Sequence, residues 1–218
     1  MPNYVKNQLI LSGEQSKINE LIDKVESKDS DFDFNKIIKM PKSLNIEAGG
    51  RTDKGFADYK KFILDYICYG HNTRPNLLRI PKEAEESYLM IKDAVIDEVW
   101  ELGRTAFQNQ IKYGAPTWYE WCMEHWGTKW PALDAVVAGN IIRFNTAWSR
   151  AMPVVEKLAK MFPDITIEYS WADEDMGSNA GMAKFEHGEL VDDVHFANGE
   201  QGTIDFALAL WGDSYFDS

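Results

Sequence analysis

The most restrictive feature of this chain is one pattern met twice. Residues 4–11, YVKNQLIL, alternate, with Val5, Asn7, Leu9 and Leu11 on one side and Lys6, Gln8 and Ile10 on the other. That is the period of a strand with one buried face. Ser12-Gly13 breaks it, and Ile18, Leu21, Ile22 and Val25 follow at the i, i+3, i+4, i+7 spacing of a helical stripe. Residues 32–38, FDFNKII, read as a second short strand closed by Met40-Pro41. Downstream the order recurs. Residues 135–146, AVVAGNIIRFNT, read as a strand with a bulge-prone Gly139. Pro153 opens a helix with the stripe Val154, Val155, Leu158 and Phe162, and residues 165–171, ITIEYSW, read as a strand.

Two β-α-β units predict an α+β fold, the ferredoxin-like split β-α-β sandwich: an antiparallel sheet with two helices on one face. Residues 45–57 read as a polar loop, and 58–126 as helix. Pro81 starts one helix of that stretch, which the apolar positions carry through Tyr88, Ile91, Val95, Val99 and Leu102 towards Phe107, with Gly103 as a weak point. Thr117 and Glu120 form a capping box, and Gly127 ends the last helix. The tail reads as β, with a hairpin at His187-Gly188 and a further strand at TIDFALALW after the Asn198-Gly199 turn. The expectation is one domain over 1–218, with its core in 1–44 and 131–218 and a mostly helical insertion over 45–130.

Composition narrows the class of function. At 44% hydrophobic and 13% aromatic the chain can bury a real core. No apolar run reaches 18 residues, so no membrane partner is expected. The start lacks the apolar stretch of a secretory signal, and two cysteines make no disulfide framework, so a cytoplasmic setting is expected. Net charge is −12, and residues 164–218 hold thirteen acids against one basic residue, Lys184. Such a segment repels a phosphate backbone and attracts a basic partner.

Four motifs resemble the YubB ferredoxin-like family of uncharacterised phage and plasmid proteins: MPNYVKNQLILSG at 1–13, FDFNKIIKMPKSL at 32–44, WYEWCMEHWGTKWPALDA at 118–135 and FNTAWSRAMPVVEKLAKMFPDI at 144–165. The resemblance implies the same fold and a mobile-element origin in a bacterial host, and brings no catalytic residues. Ser149-Arg150-Ala151 departs from the pattern, where an apolar or proline residue is expected beside Pro153.

Chemistry-bearing residues fall into three groups. Cys68-x-x-His71 and Cys122-x-x-His125 are two C-x-x-H pairs, a composition that can hold zinc if the pairs meet; the alternative is that both cysteines are core. Trp118, Trp121 and Trp148 are candidates to line a pocket between the helical insert and the sheet; the other reading of the tryptophans of 118–130 is a plug at that junction. Asp173, Glu174, Asp175, Glu189, Asp192, Asp193 and Glu200 are candidates for an acidic protein-binding surface. WGTKW lacks the spacing of a phosphate loop, and Asp173-Glu174-Asp175 lacks that of a calcium loop. His187 and His195 fit surface positions of the tail hairpin, and no nucleophile motif is present. The function expected is therefore non-enzymatic protein binding, as in a counter-defence inhibitor (anti-CRISPR or anti-restriction) that imitates nucleic acid towards a nucleic-acid-binding host protein. The alternative is a small-molecule or nucleotide binder, or an enzyme. No cofactor other than that zinc is expected.

Overall fold

A computed structural model describes residues 3–69 and 76–212, with Tyr69 described in its backbone alone. The elements run β1 (Tyr4–Ser12), α1 (Gln15–Val25), α2 (Phe34–Ile37), a 3-10 turn (Lys42–Leu44), α3 (Gly50–Tyr69), α4 (Lys82–Ile91), α5 (Glu98–Tyr113), α6 (Trp118–His125), β2 (Leu133–Ala138), β3 (Ile141–Ala147), α7 (Met152–Met161), β4 (Thr166–Asp173), β5 (Gly181–Glu186), β6 (Glu189–His195) and α8 (Gln201–Trp211). The chain divides into two compact units, Met1–Lys39 with Cys122–Ser218, and Met40–Trp121.

The first unit is built on a six-stranded sheet of order β2-β3-β1-β4-β5-β6. Every neighbouring pair is antiparallel. β2-β3-β1-β4 is the ferredoxin-like arrangement: each β-α-β unit is split by a strand of the other. The β5–β6 hairpin widens the sheet beside β4. Alternation in β1 buries Val5, Leu9 and Leu11 on the face where α1 buries Ile18, Leu21 and Val25. α7 packs on β4, β5 and β6, and α2 touches both α1 and α7.

Five sequence expectations are corrected. Residues 32–38 are not a strand. β1 is already flanked by β3 and β4, and the Asp33 carboxylate accepts the Asn35 N–H at 2.9 Å to cap α2. The buried Phe32 and Phe34 instead plug the core against Phe144, with ring centroids 4.9 and 5.7 Å away. The partner that completes the first split unit is β2, beyond the helical unit. Residues 135–146 are likewise not one strand but a hairpin, since Gly139 has φ +59° and turns the chain. TIDFALALW is helix α8. Its Ala-Leu run favours helix, and Thr203 and Ala207 are buried one turn apart. Finally, α3 starts inside the expected 45–57 loop, and the helix begun at Pro81 stops at Ile91. Asp93 has φ +54°, and the Asp97 carboxylate accepts the Trp100 N–H at 2.8 Å to begin α5.

α8 covers part of the sheet face that lacks α1 and α7, packing on β4 and β1. In the second unit, α3 and α5 are in close contact and bury Tyr59, Phe62, Ile63, Leu89 and Trp100. Glu85, 2% exposed, lies in this core. Its carboxylate accepts from Tyr59 Oη, Trp100 Nε1 and Arg104. A buried carboxylate with three donors is satisfied, and its role is structural.

Candidate functional site

The site is built from the turn after β3. Trp148 has φ +69°, a left-handed conformation that bulky residues avoid, and it is 41% exposed. Such a residue persists only where its surroundings over-determine it. Here its N–H donates to Asn3 O at 2.9 Å, and its carbonyl accepts from Asn179 Nδ2 at 3.2 Å. On either side, the Thr146 hydroxyl donates to Ser149 O at 2.7 Å, and the Thr128 hydroxyl donates to Ala147 O at 2.9 Å. The Ser149 hydroxyl donates to Gly127 O.

This explains WGTKW. Gly127 has φ +74°, and a Cβ there would lie 2.8 Å from Pro153 Cδ and 3.1 Å from Arg150 O. Glycine lets the 127–128 turn tuck beneath the β3–α7 loop and hold it. Trp126 is buried and donates through Nε1 to Ile38 O at 2.9 Å. Lys129 then carries its ammonium over the rings of Trp130 and Trp148, 4.6 and 4.7 Å from their centroids. The second of these contacts gives the exposed Trp148 ring a cationic neighbour.

Beside Trp148, Arg150 makes a second stack. Its guanidinium lies 4.1 Å from the Trp171 ring centroid and forks onto Asp193, with Nη1···Oδ1 2.6 Å and Nη2···Oδ2 3.0 Å. Arg150 beside Asp193 holds that carboxyl below its usual range, against a smaller opposing effect of burial. His195 stands edge-on to Trp171 and 3.7 Å from Asp193. Below them a buried polar chain runs inward: the Tyr169 hydroxyl donates to Asn7 Oδ1 at 2.6 Å and accepts the Ala151 N–H at 3.0 Å, and Asn7 Nδ2 donates to Thr146 Oγ1 at 2.9 Å. Burial drives the Tyr169 phenol well above its normal range, so it stays neutral and positional.

The acidic candidates separate. Asp173 is 6% exposed and organises the turn after β4, accepting the Asp175 N–H at 2.9 Å. Asn179 Nδ2 reaches both Asp173 and the Trp148 carbonyl, which ties the turn that carries Glu174 and Asp175 to the Trp148 turn. Asp192 and Asp193 point to opposite faces of β6: Asp193 is paired with Ala183 and held by Arg150, and Asp192 is paired with Lys184 on the other face. Glu189 sits at the far end of β6, and Glu200 precedes α8. The seven do not make one continuous face.

Of the tryptophan candidates, Trp121 is buried and Trp118 half-buried in the helical unit, while Trp148 belongs to the sheet unit. At the helix start, the Thr117 hydroxyl accepts the Tyr119 N–H at 3.2 Å and donates to Glu120. Of the metal candidates, Cys68 is exposed on α3, Cys122 is buried on α6 and His125 is half-buried; His71 lies outside the described residues. Burial pushes the Cys122 thiol up to about 12. Among the described residues no three His, Cys, Asp or Glu side chains gather as metal ligands, and no helix is long and apolar enough to cross a membrane.

Reading the sequence missed the Arg150–Asp193–Trp171–His195 stack. Its one trace was the departure at Ser149-Arg150-Ala151, where an apolar or proline residue was expected.

No curated protein matches the chain. A crystal structure of the protein Api92 from Yersinia pseudotuberculosis aligns over 92% of this chain and 100% of its own, at 13% identity and TM-score 0.43. Residues 125–212, which hold the Trp148 loop and, Asn3 apart, the residues that hold its backbone, match the family model described as a ferredoxin-like domain in Api92-like protein, and that is the family this part of the chain is similar to.

Proposed function

We propose that the chain is a non-enzymatic protein-binding module whose contact surface centres on Trp148 and is flanked by Glu174 and Asp175. The observation that carries this reading is Trp148 itself. It is a large aromatic residue, exposed, fixed by two backbone hydrogen bonds, with a lysine over its ring, and held in a backbone conformation that costs free energy. A rigid exposed tryptophan near arginine is the composition of interface hot spots. Of the buried groups beneath it, Tyr169, Asn7 and Thr146 are held by internal hydrogen bonds, which suits positioning, while the Trp171 indole N–H has no partner among the described residues.

The partner we propose is a basic host protein, as a nucleic-acid-binding one would be. A chain of net charge −12 steers such a partner inward, and Glu174 and Asp175 meet it beside the anchor. The phage or plasmid origin implied by the YubB resemblance, and a counter-defence role, belong to this proposal. The test is affinity against salt. Glu174→Lys with Asp175→Lys should weaken binding at least about tenfold at low salt and flatten its salt dependence. Affinity indifferent to both the charges and the salt contradicts the proposal.

A further inference from the structure

The sheet face bearing α8 holds a groove of about 500 Å³ whose floor is Lys6, Gln8, Arg143 and Ser170. Its wall is apolar, formed by Phe206, Leu210 and Trp211. The wall is fixed: Trp211 Nε1 donates to Ala172 O at 3.1 Å and Asp173 O at 3.2 Å, which locks α8 across β4. The floor is built from alternate residues of neighbouring strands. Gln8 pairs with Arg143 on one side and Ser170 on the other, and Lys6 lies one alternation further along β1.

Two properties set this groove apart. First, its lining contains two cations and no acid, in a chain whose net charge is −12. Among the described residues neither Lys6 nor Arg143 has a carboxylate within ion-pair distance. Second, the floor is rich in donors. The Gln8 carbonyl oxygen is already taken by Arg143 Nε at 2.7 Å. That leaves the Gln8 amide N–H groups, the Arg143 fork, the Lys6 ammonium and the Ser170 hydroxyl facing one small volume. Burial, with Arg143 nearby, lowers the Lys6 pKa, against the opposing pull of Asp134. The Lys6 ammonium lies 4.8 Å from the Trp211 centroid, where floor and wall meet.

A donor-rich cationic floor fits a group with several anionic oxygens, and an aromatic wall fits a flat apolar body. We propose that this groove binds one nucleotide, with its phosphate on Lys6 and Arg143 and its base along the wall of Phe206, Leu210 and Trp211. The site is separate from the Trp148 surface, and its occupant is a free mononucleotide. A continuous strand would have to run past the acids of the C-terminal quarter.

The experiment is calorimetric titration of the full chain with AMP, UMP, adenosine and inorganic phosphate. The expected result is that AMP or UMP binds below about 1 mM and at least about tenfold more tightly than adenosine or phosphate. Lys6→Gln and Arg143→Gln should each weaken it about tenfold with the melting temperature of the free protein unchanged. Trp148→Gly should leave it intact, which separates this proposal from the protein-binding one. No heat with either nucleotide at about 10 mM overturns the proposal, and so does phosphate alone binding as tightly as AMP. If one variant fails to fold, the other and Ser170→Ala still test the floor. Nucleotide affinity undiminished in every folded floor variant also overturns it.

Discussion

A tryptophan held at φ +69° gives up about 1–2 kcal/mol of backbone free energy that a glycine there would not. Little in the fold repays it: the ring is 41% exposed, and its contact with Lys129 is worth about 0.5–1 kcal/mol. The tripeptide Ala147-Trp148-Ser149 shows none of this in sequence, because backbone strain depends on the turn that β3 must make. The cysteines show the opposite case. Both stand in C-x-x-H pairs, yet burial makes Cys122 a neutral core thiol, while Cys68 is exposed. A thiol-disulfide reagent at pH 8 should therefore react quickly with one thiol per chain, and Cys68→Ser should abolish that fast phase. Two fast thiols would show that Cys122 is not core. The Arg150 fork predicts a pH effect. Asp193 has a folded pKa below its unfolded one, so its contribution is present above about pH 4 and fades as pH falls through the folded value. Asp193→Asn should cost about 1 kcal/mol at pH 7 by urea unfolding, and the difference from wild type should shrink towards zero near pH 2.

At the scale of elements, the patterns that were legible had one periodicity and one use. β1, α1, α7, β4 and the β5–β6 hairpin follow the stripes and turns read from sequence, down to His187 and Gly188 at φ +52° and +80°. The misreadings have physical causes. FDFNKII alternates because two phenylalanines enter the core beside a capped helical turn. TIDFALALW alternates, but with Thr203 and Ala207 facing inward it satisfies a helix equally well. Gly103 was read as a flaw in α5, and the structure gives it a purpose. A Cβ there would collide with the Gly55 backbone of α3, and one on Gly55 would collide with α5 at Val99 O. These glycines let the two helices touch. Gly103→Ala, which would stabilise an isolated helix by about 1 kcal/mol, should destabilise this one by about 1–3 kcal/mol in chemical denaturation. A stabilised variant would show that the close approach is absent.

For the whole molecule, the ferredoxin-like order was legible because it needs only the sequence of strands and helices. The candidate site was not, because it joins residues from five separated places: Asn3, Thr128, Trp148, Asn179 and Asp193. The acidic bias was visible in composition, but its arrangement depended on strand parity, which puts Asp192 and Asp193 on opposite faces of β6. What the structure ties to Trp148 is one short acidic turn rather than a charged sheet, so the tryptophan, more than the net charge, should decide binding. The direct test immobilises wild type and Trp148→Gly, captures proteins from a bacterial host lysate at low salt, and measures each variant's urea stability alongside. We predict that Trp148→Gly is as stable as wild type, within about 1 kcal/mol, yet loses the basic proteins that wild type retains. Equal capture of the same basic proteins by both would contradict the account.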